Sequence, residues 1–188
     1  MRDAFWIPDG KEVRIAISGR SGCGNTTVSR LLAEVLDISF VNYTFRSLSD
    51  ELRIPLSEII EKAKTDDSFD RQVDIRQVEL ARRSSCVLGS RLAVWMLPEA
   101  DLKVYLTASP EVRSKRIQSR EGGSLEDIQA FTAMRDSEDT RRYKELYDID
   151  NTDYSFADLV IDTESKTPEM IVGEILQALA DRGFINRR

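Results

Sequence analysis

The chain has 188 residues, 41% of them hydrophobic, a length and composition that suit one α/β domain with small inserted lobes. Its net charge of −6 argues against a general nucleic-acid surface, and the lack of any apolar run near about 18 residues argues against a membrane span. The two cysteines, Cys23 and Cys86, lie far apart and histidine is absent, which argues against a disulfide framework, a zinc site and Ser-His-Asp or Cys-His catalysis. No secretory signal is recognised, so a reducing cytoplasm is expected.

The first elements predicted along the chain are an N-terminal extension, a strand and a helix. Residues 1–11 form the extension, with Phe5 and Trp6 either frayed or packed on the body. Val13, Ile15 and Ile17 predict a short strand, and apolar residues at helical spacing from Val28 to Leu36 predict a helix.

The glycine-rich loop between this strand and this helix resembles the phosphate-binding pattern Gly-x4-Gly-Lys-[Ser/Thr]. Gly19, Gly24 and Thr26 fit the pattern, whereas Asn25 stands where lysine is usual. Such a loop points backbone N–H groups and a helix N-terminus at a phosphate, and the Thr26 hydroxyl would be a ligand of Mg²⁺. The alternative is a plain turn between a strand and a helix. The predicted nucleotide-phosphate contacts are Gly19, Arg20, Ser21, Gly22, Cys23, Gly24, Asn25, Thr26 and Thr27.

The thiol of Cys23 has two interpretations. A thiol at a helix N-terminus can be reactive, but a small residue tolerated in a tight loop is favoured.

The remainder of the chain alternates helices with short apolar strands. Charged, amphipathic helices are predicted from Thr44 to Arg83 with a break near Pro55, and after Ser124, an expected N-cap, as far as Tyr147. Buried strands are predicted at 86–88, 101–106 and 159–161, and prolines 110 and 168 each open a helix. This order predicts a three-layer α/β/α fold around a central parallel sheet. The helical segments at about 44–83 and 120–148 interrupt the alternation and are candidates for mobile lobes that close over substrate.

Arginines are frequent in the segments that follow the predicted strands. Ligands of parallel sheets bind beyond the carboxyl ends of strands, and arginine binds phosphate through two parallel hydrogen bonds. The alternative is that each of these side chains is a solvated surface residue. The arginines concerned are Arg46, Arg91, Arg113, Arg116, Arg120, Arg135, Arg141 and Arg142.

Four segments of the sequence together resemble the cytidylate kinases, specifically the short archaeal-type subfamily of the P-loop nucleoside monophosphate kinases. The resemblance extends over nearly the whole chain from Val13 to Thr163. The segments are 18–28; 45–48 with 73–77; 91–96 with 100–106; and 135–144 with 147–150 and 158–161.

The resemblance implies a P-loop NTPase fold with helical NMP-binding and lid insertions, at about 44–83 and 120–148 of a single domain spanning 12–188. It also implies transfer of the ATP γ-phosphate to CMP or dCMP with Mg²⁺. A monomer without nucleic-acid or membrane partners is expected.

The same resemblance assigns roles to individual residues. Arg46 would hold the CMP phosphate, Asp74 would lie by the CMP lobe, and Arg91 would contact CMP. Arg135, Asp139 and Arg142 match the lid pattern Arg-Asp-x-x-Asp/Glu-x-x-Arg, in which the arginines bridge the two phosphates and the acid contacts the nucleotide. The expected catalytic residues are Arg91, Arg135 and Arg142.

Two other functions are kept as alternatives. One is another small P-loop kinase, such as an adenylate or shikimate kinase, against which the segment Arg91 to Met96 argues. The other is a nucleotide-binding module with weak or lost catalysis. Asn25 motivates it, as does Gly89-Ser90 where relatives have Glu-Gly, but the full arginine set argues against it.

Overall fold

A computed structural model describes residues 4–188. Its strands are β1 (Phe5–Trp6), β2 (Arg14–Gly19), β3 (Ser39–Val41), β4 (Cys86–Gly89), β5 (Leu102–Thr107), β6 (Leu159–Asp162) and β7 (Asn186–Arg187). Its helices are α1 (Asn25–Leu36), α2 (Phe45–Leu52), α3 (Leu56–Lys62), α4 (Ser68–Ala81), α5 (Ala93–Met96), α6 (Pro110–Glu121), α7 (Leu125–Tyr147) and α8 (Pro168–Asp181). None of the helices between residues 4 and 188 is long and apolar enough to cross a membrane.

Five strands form the central sheet in the order β3-β4-β2-β5-β6, and every neighbouring pair is parallel. The buried β2 lies at the centre. Its successive side chains point to opposite faces, so that Ile15 and Ile17 pack under α1 and α8 while Ala16 packs on the side of α4 and α5. The predicted three-layer α/β/α fold with a parallel sheet is therefore confirmed.

The helix boundaries follow local capping chemistry. Ser124 precedes α7 and its Oγ accepts a hydrogen bond from the Asp127 backbone N–H at 3.1 Å, as predicted for an N-cap. Pro110 and Pro168 occupy the first turns of α6 and α8, where a missing N–H costs little. The predicted break near Pro55 separates α2 from α3.

The N-terminal extension pairs with the end of the chain. β1 and β7 form a two-stranded antiparallel sheet in which Phe5 lies opposite Arg187 and Trp6 opposite Asn186. Phe5 packs against the core beneath α1 and α8, whereas Trp6 stays exposed. Sequence patterns gave no signal for β7, because a two-residue strand is too short to show periodicity.

The parallel arrangement brings the carboxyl ends of β2 and β4 to one edge of the sheet. The buried Ser18 hydroxyl ties these ends together, since it donates to the Ser90 carbonyl at 2.9 Å and accepts from the Val94 N–H at 3.1 Å. The loop after β2 and the residue Arg91 after β4 consequently lie side by side.

Candidate functional site

The loop between β2 and α1 forms one wall of a cleft of about 750 Å³. Two glycines adopt left-handed conformations there, Gly22 with φ 86° and Gly24 with φ 101°. A Cβ at Gly22 would lie 2.8 Å from the Arg113 side chain, so the loop packs too closely on α6 for any other residue. The predicted loop residues that line the cleft are Arg20, Ser21, Gly22, Gly24, Asn25, Thr26 and Thr27.

Two of the predicted phosphate contacts, Gly19 and Cys23, belong to the loop but do not line the cleft. A Cβ on Gly19 would lie 2.5 Å from the Leu106 carbonyl oxygen, so Gly19 is pressed against β5. The Cys23 thiol is buried, and burial raises its pKa. A buried protonated thiol fits the favoured interpretation of Cys23 as a small packing residue.

Asn25, in the position usual for lysine, forms a hydrogen bond within the loop. Its Nδ2 donates to the Gly19 carbonyl at 2.5 Å, and its buried Oδ1 has no hydrogen-bond partner among residues 4–188. The side chain therefore closes the two ends of the loop instead of placing a charge in the cleft.

Two arginines of α6 hold the loop, Arg113 from outside the cleft wall and Arg116 from within it. Arg113 is only 2% exposed; its Nη1 donates to the Ser21 carbonyl at 3.1 Å and its Nη2 pairs with Asp136 at 2.7 Å. Arg116 donates to the Thr163 hydroxyl at 2.9 Å, and that hydroxyl donates to the Cys23 carbonyl at 3.2 Å.

Arg113 is therefore neither a phosphate contact nor a solvated surface residue, the two roles considered from the sequence. It is a buried anchor that fixes the backbone of the loop between β2 and α1 to α7. No sequence pattern distinguishes it from its neighbours, because its partners lie far away along the chain.

The middle of the cleft contains arginines from two separate elements. Arg91, after β4, pairs with Asp139 of α7 at 2.8 Å. Arg142 of α7 bridges Asp139 and Asp70 of α4, each at 3.0 Å. The predicted residues Arg91, Asp139 and Arg142 are thus brought into direct contact, and Asp70 joins them without having been predicted.

Arg135 lines the same part of the cleft but forms no ion pair with any other described residue. Desolvation, followed by the neighbouring positive charge of Arg91, lowers the pKa of Arg135. Asp139 is a nearby counter-charge, but it is already paired with Arg91 and Arg142. An unpaired guanidinium beside other arginines has a favourable site for an anion next to it.

The cleft as a whole is locally positive in an acidic protein. Six arginines and four carboxylates line it, an excess of two positive charges, whereas the chain carries −6. The arginines are Arg20, Arg91, Arg116, Arg120, Arg135 and Arg142, and the carboxylates are Asp70, Asp74, Glu138 and Asp139.

The far end of the cleft lies between α4 and the end of α7. The Tyr147 hydroxyl donates to Asp74 at 2.6 Å, and Gln77 Nε2 donates to the other oxygen of Asp74 at 2.9 Å. Burial raises the pKa of Asp74, and the hydrogen bond from Tyr147 opposes that effect. Gln77 was not predicted; it is 2% exposed, and its Oε1 has no partner in the part of the chain that the structure describes.

Arg46 lies apart from the other predicted residues. It is exposed in the first turn of α2, makes no hydrogen bond or ion pair within residues 4–188, and is not part of the cleft wall. Its neighbours Thr44 and Phe45 do line the cleft. The role of Arg46 stays a prediction.

Residues 14–165, most of the chain, match the cytidylate kinase-like family. The chain belongs to this family.

Members of the cytidylate kinase-like family from two domains of life are similar to this chain over most of their length. It is 45% identical to Cytidylate kinase 2 of Borreliella burgdorferi over 163 residues, 85% of this chain and 91% of that protein. It is 37% identical to Cytidylate kinase of Pyrococcus horikoshii over 175 residues, 92% of this chain and 91% of that protein. The short archaeal-type resemblance found in the sequence is confirmed.

Solved structures place this cytidylate kinase-like chain in the fold of small P-loop kinases. Shikimate kinase from Acinetobacter baumannii in complex with shikimate superposes with a TM-score of 0.63 at 21% identity, over 91% of this chain and 94% of that one. Shikimate kinase from Bacteroides thetaiotaomicron gives 0.60 at 16% identity, over 90% and 96%. Similarity at this level of identity concerns the fold alone.

Proposed function

We propose that the chain transfers the γ-phosphate of ATP to CMP or dCMP, giving ADP and CDP or dCDP. The observation that carries the proposal is the cleft itself, in which a phosphate loop faces arginines that follow β4 and belong to α6 and α7, and one of them, Arg135, forms no ion pair within residues 4–188. Such a constellation suits two phosphorylated substrates that meet end to end. Membership of the cytidylate kinase-like family supports cytidylate as the acceptor.

We propose separate roles for the loop and for the arginines that face it. The backbone N–H groups of residues 20–27 hold the phosphates of ATP. Arg91, Arg135 and Arg142 surround the transferring group, and the charge they supply acts on the transition state. An oxygen of the acceptor phosphate attacks the γ-phosphorus while the bond from that phosphorus to the β–γ bridging oxygen breaks, so ADP leaves.

When the substrates bind, arginines that now pair with carboxylates would pair with phosphate oxygens instead. Arg142 bridges Asp139 and Asp70, and phosphate oxygens offer the same paired acceptors with more charge. We infer that Asp139 and Asp70 keep the arginines in position until phosphate arrives. Arg46 and Asp74 are proposed to hold the acceptor nucleotide, Arg46 after α2 moves towards the cleft.

The inserted segments are proposed to be the moving parts of one domain over residues 12–188. Residues 44–83 would form the lobe for the acceptor and residues 120–148 the lid. Contacts that join these segments include Arg142 with Asp70 and Tyr147 with Asp74, so closure and substrate binding would be linked.

A magnesium ion bound mainly by substrate phosphates fits the residues present. The Thr26 side chain is exposed at the cleft wall, and its hydroxyl makes no hydrogen bond within residues 4–188. The described residues contain no group of three or more acidic, cysteine or histidine ligands, and Mg²⁺ in kinases commonly needs only one or two protein ligands. The ion would neutralise the developing charge on the phosphates. Thr26 is the proposed ligand.

No acidic side chain could replace Gly89 at the end of β4 in this packing. A Cβ there would lie 2.5 Å from the Ser29 hydroxyl of α1. An outer-shell acid for the metal would therefore come from elsewhere in the cleft.

The test is a coupled assay of ADP release with ATP and a panel of acceptors: CMP, dCMP, UMP, AMP and shikimate. We expect turnover with CMP and dCMP well above the other three. Turnover only with AMP or shikimate would reassign the acceptor. ATP binding by calorimetry without turnover on any acceptor would favour the nucleotide-binding module.

A further inference from the structure

A buried ion pair lies against the outside of the loop between β2 and α1. The Arg113 and Asp136 side chains are 3% and 12% exposed, and Arg113 Nη2 lies 2.7 Å from the Asp136 carboxylate. Neither residue lines the cleft. Burying two charges costs free energy that an apolar pair of similar size would not cost, so stability alone does not explain this pair.

Arg113 sets the orientation of one peptide group of the loop. Its Nη1 donates to the Ser21 carbonyl at 3.1 Å. The described chain has no cis peptide bond, and the C=O and N–H of a trans peptide point in opposite directions. The Gly22 N–H, which belongs to the same peptide group, therefore points away from Arg113. Gly22 lines the cleft and its N–H donates to no residue between 4 and 188, so this donor is left for a ligand in the cleft.

The loop has no room to turn this peptide group by moving closer to α6. A Cβ on Gly22 would lie 2.8 Å from the Arg113 Cβ and 2.9 Å from its Cα, so the loop is already in close contact with the helix. Asp136 in turn fixes the Arg113 guanidinium, and Arg20 of the loop lies 3.5 Å from the same carboxylate oxygen. One carboxylate of α7 thus holds the loop through two arginines.

We propose that Arg113 and Asp136 are positioning residues that keep the Gly22 N–H directed at the phosphates of the donor; this rests on the proposed function, which puts those phosphates on the loop. Backbone N–H groups bind an anion well when several of them point at one place. Release of the Ser21 carbonyl would let its peptide group rotate and would remove one donor from the set.

The same pair connects the donor phosphates to the other arginines of the cleft. Asp136 lies one turn before Asp139 on α7. The Asp139 carboxylate pairs with Arg91 and Arg142. A phosphate that fixes the loop therefore also fixes, through Arg113 and Asp136, the helix that positions these groups. Coupling between two binding sites is reciprocal, so the donor should strengthen binding of the acceptor.

The experiment compares the double variant Arg113→Met with Asp136→Leu and the single variant Arg113→Met. An apolar pair of similar size often leaves stability unchanged or improved, whereas the hydrogen bond to Ser21 is lost in both variants. The single variant leaves Asp136 beside Arg20, so it creates no isolated buried charge. We expect the ATP Kd, measured by calorimetry with Mg²⁺ and without acceptor, to rise about tenfold or more in both, as for the loss of one hydrogen bond to a charged group. Thermal unfolding reports their stability.

A second measurement gives the Kd for CMP with and without saturating β,γ-imido-ATP. In the wild type this analogue should tighten CMP binding about fivefold or more. In the double variant the ratio should fall to about one, while the CMP Kd without the analogue stays within about twofold of the wild type. The matched control is Lys115→Ala, which removes an exposed ion pair of α6 with Glu111 at 2.8 Å and should leave both constants unchanged.

A folded double variant with the ATP Kd of the wild type would overturn the proposal, because a merely structural pair can be replaced by an apolar one. An equal loss in Lys115→Ala would overturn it as well. If the double variant unfolds, the single variant decides by the same constants. An analogue without effect on CMP binding in the wild type would remove the connection through α7. If the wild type does not phosphorylate CMP but the double variant still binds ATP more weakly, the proposed function fails and the positioning roles stand.

Discussion

Replacing Asn25 by lysine would restore the usual cation of a phosphate loop, and we expect this change to raise kcat by less than about tenfold. In the native loop Asn25 Nδ2 donates to the Gly19 carbonyl, and no charge enters the cleft from this position. The cleft already has two more arginines than carboxylates. A further cation therefore adds to a field that is already positive.

The size of the effect follows from the competing contributions. A unit charge about 4 Å from a phosphate oxygen interacts by about 4 kcal/mol at an effective dielectric constant of about 20. Most of this attraction acts equally on bound ATP and on the transition state, so it tightens binding without lowering the barrier. Loss of the hydrogen bond from Asn25 to Gly19 destabilises the ordered conformation of the loop by about 1 kcal/mol. The net change in the barrier should stay below about 1.4 kcal/mol, which is tenfold in rate.

The assay is steady-state kinetics with ATP–Mg²⁺ and CMP on the wild type, Asn25→Lys and Asn25→Met. The methionine variant removes the hydrogen bond to Gly19 without adding charge, so it separates loop order from electrostatics. We expect a lower ATP KM in Asn25→Lys with a modest change in kcat. A wild type without activity that lysine rescues would refute the idea that backbone N–H groups and arginines compensate for the missing cation.

The remaining predictions concern both substrates and the acid at the far end of the cleft. Arg142→Ala should lower kcat by about 10³-fold while the CMP KM changes less, because its charge acts on the transferring group. Arg46→Ala should raise the CMP KM by the equivalent of about 1.5–3 kcal/mol and leave ATP binding intact. Burial raises the pKa of Asp74, so the folded protein keeps this proton to a higher pH than the unfolded chain does, and the free energy of unfolding falls as pH rises through the raised pKa. Asp74→Asn should therefore flatten the pH dependence of stability above the ordinary aspartate pKa of about 4, measured by urea denaturation.

Each of these predictions has an outcome that contradicts it. Near-normal kcat in Arg142→Ala would remove that residue from the transition state. A loss of ATP affinity in Arg46→Ala would place Arg46 at the other nucleotide. An unchanged pH profile in Asp74→Asn would mean that the carboxyl titrates alike in the folded and unfolded protein.

The sequence alone determined the phosphate loop, the parallel sheet and the two helical insertions. These features are encoded locally: Gly22 and Gly24 permit left-handed backbone at a strand–helix turn, and apolar residues recur with the periods of strands and helices. Ser124 and the two helix-opening prolines fixed boundaries for the same reason. The resemblance to cytidylate kinases added Arg91, Asp139 and Arg142, which the structure brings together.

Only the tertiary structure decided what each charged or polar side chain contacts. Arg113 and Ser21 are 92 positions apart, and Arg91 and Asp139 are 48 apart, so no local pattern separates a buried anchor from a cleft arginine. The same holds for three other side chains, whose contacts no local pattern predicts. Asn25 donates to the Gly19 carbonyl, Gln77 donates to Asp74, and Arg46 lies outside the cleft wall. A side chain's partner depends on how the elements pack, because charge and hydrogen-bond pairing act over a few ångströms, and packing sets those distances.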